Sequence, residues 1–111
     1  MLALAGATLS LATQPEAAHA AETIRVATFN LALFGRAPGE ILARLQTRND
    51  PQACRLAEII QRVRPDVLVL NEIDYDPQGA ALAAFCDNYL AAPQHASQSP
   101  AGPALPISFP H

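Results

Sequence analysis

The sequence lacks several things that would narrow its class. No stretch of its 111 residues is long and apolar enough to span a bilayer, and no segment repeats. There is no basic patch. The formal net charge is −3, which gives no electrostatic case for nucleic acid or an anionic membrane, though a local basic site can exist on an acidic protein. Cysteine is limited to Cys54 and Cys86. In an exported protein these two permit a disulfide, but both fall in predicted helices and read as small buried hydrophobes in preference to a pair. Much of the 50% hydrophobic fraction is alanine, which buries little area per residue. One small domain is the upper limit. A chain of this size buries roughly 60% of its unfolded surface, a marginal amount.

What is present begins with a leader. "MLALAGATLSLA", Met1 to Ala12, is a short apolar run, and Ala18, His19 and Ala20 form the small-x-small pattern of a cleavage site. No Lys or Arg precedes the run, a departure from the usual signal. The reading is a signal peptide over 1–20 cleaved after Ala20, a secreted or periplasmic protein, and no transmembrane anchor.

Ile24 to Leu31, "IRVATFNL", is rich in β-formers and reads as a strand buried on both faces, with Asn30 near its end. Gly35, Pro38 and Gly39 break the chain, and Glu40 to Gln46 suit a short helix. "NDPQACRLAEIIQRVRPD" is the clearest helix. Asp50 suits the N-cap and Pro51 the first position. Ala53, Leu56, Ala57, Ile60 and Val63 make one apolar stripe. Arg62 and Arg64 fall in the last turn, where the dipole favours cations, and Pro65 stops the helix.

Asp66 to Ile73 is the second strand, so the order strand, helix, strand makes a βαβ unit with parallel neighbours. "DPQGAALAAFCDNYL" then starts a helix with Asp76 as cap, Pro77 opening it, and Leu82, Phe85 and Tyr89 as its stripe. Residues 91–111 hold five of the ten prolines and read as an extended loop or truncated tail.

Parallel strands bring Asn30 and Glu72 to the carboxyl edge of the sheet, where open α/β sheets place ligands. Leu68, Leu70 and Glu72 share one face by period-two alternation, so a buried stripe is expected to end in an acid. A lone ionised carboxylate on a dry face is costly. A hard cation removes that cost, and Mg2+ takes one or two carboxylates with waters and a phosphate.

This arrangement resembles the endonuclease/exonuclease/phosphatase family, which includes deoxyribonuclease-like and sphingomyelinase-like enzymes. The residues that carry the resemblance are "IRVATFNL" and "RLAEIIQRVRPDVLVLNEID", Arg55 to Asp74, within residues 21–90. It implies the N-terminal β-α-β-α portion of a four-layer α/β sandwich, incomplete over this length. It implies that Asn30 orients a phosphate or its water, and that Glu72 binds a catalytic divalent metal, Mg2+ or else Mn2+ or Ca2+. Asn71 stands where the family often has Gln. Implied substrates are phosphoesters (nucleic acid, phospholipid headgroup or small phosphoester), with no stable protein partner. The family's Asp-x-Asn pair, further metal ligands and terminal Asp-His pair have no counterpart here. The chain therefore reads as the first part of a metal-dependent phosphoesterase, inactive by itself.

Plainer readings stand beside these. Glu72 is then a strand-end acid facing water, and Asn30 a turn former. Asp74 and Asp76 read as turn and cap residues, Arg55 and Glu58 as a solvated helix face, and Tyr75 as packing. The alternative function is a non-enzymatic α/β fragment or binding module.

Overall fold

The computed structural model describes residues 22–97 and 102–110. The signal peptide over 1–20, its cleavage after Ala20, and His19 and His111 lie outside the described residues. The elements run β1 (Val26–Leu33), α1 (Glu40–Gln46), α2 (Pro51–Val63), β2 (Val67–Ile73) and α3 (Ala80–Phe85), which widens into a π-helical turn at Cys86–Leu90. The chain is thus mixed α/β. β1 and β2 pair in parallel, in step from Val26 opposite Val67 to Asn30 opposite Asn71.

Local chemistry sets α2. Asp50 is extended, and its carboxylate accepts the Ala53 N–H at 2.9 Å. Burial pushes the Asp50 carboxyl up, but hydrogen bonds from Arg44 and the Ala53 N–H outweigh it and hold the group below its ordinary value. Pro51 opens the helix, whose lost N–H is not needed there. Arg64 is left-handed at φ 52° and closes the helix, so only Arg62 sits in the last turn. The expectation that both arginines lie within that turn is corrected.

One core joins all the elements: Leu31 and Leu33 of β1, Ile41 and Leu45 of α1, Ala53, Ala57 and Ile60 of α2, and Phe85, Tyr89 and Leu90. Phe29, Leu68, Leu70 and Ile73 pack against it. The strands alternate, and their other face is bare. Val26, Val67 and Val69 are 65%, 48% and 51% exposed. The expected burial of β1 on both faces therefore fails: the described residues cover one side of the sheet only.

Four smaller expectations are also corrected. α3 begins at Ala80, not Pro77; Asp76 still serves its N-terminus, accepting the N–H groups of Ala80 at 2.7 Å and Ala81 at 2.9 Å. Leu82 is exposed while Phe85 and Tyr89 are buried, so the stripe does not include it. Tyr75 is 90% exposed and packs nothing. Glu58 is buried rather than solvated, because Arg62 and Ser97 enclose its carboxylate; Arg55 is exposed as expected. Cys54 and Cys86 are free, half-buried thiols, each pushed up in pKa by burial.

Candidate functional site: the carboxyl rim of the two strands

The strands fall out of step at their carboxyl ends. Pairing holds to Asn30 opposite Asn71 and resumes at Leu33 opposite Ile73. Leu31 and Ala32 on β1 therefore face Glu72 alone on β2, which is a β-bulge. Ala32 has φ 48° and Glu72 φ 55°. Left-handed backbone costs a residue with a Cβ about 1–2 kcal/mol, and it persists only where neighbours impose it.

The neighbours are visible. The Asn30 side-chain oxygen accepts the Ala32 N–H at 3.0 Å. From α2, Gln52 Nε2 donates to the Leu31 carbonyl at 3.2 Å and the Ala32 carbonyl at 3.0 Å. The Asp74 N–H donates to the Leu33 carbonyl at 2.9 Å, and the Asp74 carboxylate accepts the Gly35 N–H at 2.8 Å. Gly35 must lack a Cβ, since one there would lie 2.8 Å from Glu40 Cβ.

The bulge changes which side chains face the core. Leu68 and Leu70 pack inward two residues apart, but the next to do so is Ile73, three residues on. Glu72 is exposed. The expected buried stripe ending in an acid is thus corrected: left-handed backbone at Glu72 breaks the alternation and hands the inward place to Ile73. No desolvation cost attaches to the carboxylate, which stands ready in solvent.

Asn30 is also exposed, and its cross-strand neighbour Asn71 directly precedes Glu72. With neighbouring strands about 4.8 Å apart and a rise of about 3.3 Å per residue, positions 30 and 72 share one small rim. The Asn30 oxygen is engaged by Ala32, which leaves its NH2 as the outward donor. Asn71 donates to the Thr28 hydroxyl at 3.1 Å, across the bare face. Asp74 and Asp76 are spent on backbone N–H groups, as turn and cap residues.

The rim thus offers one free-standing carboxylate and one amide donor. The carboxylate is a hard oxygen ligand of the kind Mg2+ accepts when waters and a phosphate complete its shell, and the amide donor suits a phosphate or ligated-water oxygen. Among the described residues, no group of three or more His, Cys, Asp or Glu is placed to hold a metal ion. The structure brings Asn30 and Glu72, the residues singled out in the sequence, to one rim, with Ala32, Gln52 and the tie through Asp74 beside them, which the sequence reading did not single out. Gln52, the polar residue directly after Pro51 of a strongly capped helix, gave no periodic signal of its partner.

No curated protein and no solved structure matches the chain. The sequence profile of the Endonuclease/Exonuclease/phosphatase family matches residues 27–109. That range takes in the rim, every helix and part of the Pro-rich segment as well. With β2, all of β1 but Val26, the bulge and most of the chain inside the match, the chain belongs to the endonuclease/exonuclease/phosphatase family.

Proposed function

We propose that this chain supplies the first phosphate- and metal-facing residues of an exported, divalent-metal-dependent phosphoesterase. The observation that supports it is the exposed pair Asn30 and Glu72 on adjacent strand ends, inside the family match. Glu72 is the residue that would hold Mg2+ or another divalent cation. Such an ion, when bound, neutralises charge on the phosphoryl group and the leaving oxygen. The Asn30 NH2 donates to a phosphate oxygen and fixes its orientation. With Glu72 on the cation and Asn30 an amide, neither is free to act as the base that activates water, and a His of the enzyme would take that role.

The substrate is a phosphodiester or phosphomonoester, from nucleic acid, a phospholipid headgroup or a small molecule. The bare sheet face, with Val26, Val67 and Val69 exposed, is where a second sheet would pack to complete a four-layer sandwich. By itself the single carboxylate gives weak metal affinity and no turnover.

The test is hydrolysis of bis-p-nitrophenyl phosphate and p-nitrophenyl phosphate by the full-length gene product, with Mg2+, with Mn2+ and with EDTA. Glu72→Gln is expected to lower the rate at least about 100-fold, close to 2.7 kcal/mol of barrier, with little change in melting temperature because the side chain is exposed. Chelator-insensitive hydrolysis, or full activity of Glu72→Gln, overturns the reading.

A further inference from the structure

We infer that Gln52 is a positioning residue for this site: it holds the β1 bulge in the form that sets Asn30 against Glu72. The inference rests on the phosphoesterase reading above.

The side chain sits between two anchors. On one side, the Arg44 guanidinium donates to Gln52 Oε1 at 3.1 Å and pairs with Asp50 at 2.9 Å. Arginine has only donors, so the amide oxygen must face it, and this fixes the amide's orientation. On the other side, the two Nε2 protons meet two acceptors, the carbonyls of Leu31 and Ala32. These are the two residues that β1 inserts into the bulge.

Paired carbonyls in a regular strand would accept from the next strand. In a bulge the ladder is broken locally, and an outside donor satisfies them. Gln52 is that donor for both. The clamp therefore reaches Asn30 through the chain that follows it. Asn30 also holds the Ala32 N–H through its own side chain. One peptide stretch is thus gripped from the helix by its carbonyls and from Asn30 by its N–H. If the stretch relaxes, the Asn30 side-chain oxygen loses the Ala32 N–H that holds it, and the Asn30 NH2 no longer has a fixed direction relative to Glu72.

Two variants of the full-length protein separate positioning from packing. Gln52→Glu keeps the shape and can still meet Arg44, but it has no N–H for the carbonyls. Gln52→Met keeps the length and volume with no polar atoms of that kind. Both are expected to lower kcat about 10- to 100-fold, the scale set by sub-ångström misplacement of a reacting group, and to raise the Mg2+ concentration needed for half-maximal rate. Substrate KM should change little. Adding Ala32→Gly to Gln52→Glu should recover part of the lost kcat, because glycine holds φ 48° without help.

A purely structural role would lower the melting temperature while leaving kcat and the Mg2+ requirement of the folded protein unchanged, and that result overturns the inference. So does failure of both variants to fold, which would make the clamp a condition of folding instead of site geometry. Glu72→Gln in the same assay keeps the two readings apart. If it stays active, the phosphoesterase reading falls. If it is inactive while both Gln52 variants match wild type, only the role of Gln52 falls.

Discussion

Ala32 and Glu72 lie in the same break of the β1–β2 register, and both carry left-handed backbone, at φ 48° and 55°. Neither is glycine, so each holds a conformation that its own Cβ disfavours. Two of the four left-handed residues with a side chain among the described residues thus meet at the rim where the candidate site sits. The left-handed backbone turns Glu72 out of the inward series, so that Ile73 fills the core and the acid meets solvent. A regular ladder with the same residues would have turned Glu72 inward beside Leu70, away from the solvent-facing rim.

Replacing Ala32 by Gly should therefore stabilise the protein. Left-handed alanine costs about 1–2 kcal/mol, and glycine gives back about 0.5–1 kcal/mol through its freer unfolded chain. The net expectation is a gain of up to ~1.5 kcal/mol, read as a higher denaturant midpoint in equilibrium unfolding of the full-length protein. A lower midpoint would mean that Ala32 is not left-handed in solution.

Asn30→Asp separates the acceptor role of this side chain from its donor role. The aspartate keeps an oxygen for the Ala32 N–H, so the bulge and the melting temperature should persist. It loses both donors and adds a negative charge beside Glu72. Phosphate should bind less well and any divalent cation better. We expect kcat/KM to fall about 100-fold while the Mg2+ concentration for half-maximal rate drops. Steady-state kinetics across a Mg2+ series reads both. An unchanged kcat/KM removes Asn30 from the site.

Much of this was legible in the residues. Asp50, Pro51 and Pro65 bracket α2, because capping and the missing proline N–H act locally. The same holds for α1, found at Glu40–Gln46 as its breakers predict. The parallel pairing followed from the strand–helix–strand order, and it brought Asn30 and Glu72 to one edge. The bulge was not legible. Strict alternation assigns Glu72 to the face of Leu68 and Leu70, and nothing in "LNEI" signals positive φ. The break is held by contacts between residues 20 or more positions apart, Gln52 with Leu31 and Ala32 and Asp74 with Gly35. Glu58 was misread for a similar reason. A charged residue on a helix looks solvated until a partner such as Ser97, 39 positions later, folds over it.

That last contact carries a pH dependence. Glu58 is only 4% exposed, and it accepts the Ser97 N–H at 2.8 Å, the Ser97 hydroxyl, and two donors of Arg62. Its carboxyl lies below the usual glutamate range, first through the Ser97 hydroxyl and then through Arg62. A depressed folded-state pKa means that the group stabilises this docking above its unfolded value of about 4.3 and loses that effect as pH falls through the folded value. The segment around Ser97 should stay attached to α2 at neutral pH and come away in acid. The Ser97 amide shift, followed by NMR from neutral pH downward, should turn at a pH below that of an ordinary glutamate, and Glu58→Gln should remove the inflection. An inflection at or above the ordinary value would show that the carboxylate is not held by Ser97 and Arg62 in solution, and the Pro-rich segment would then need another anchor on the core.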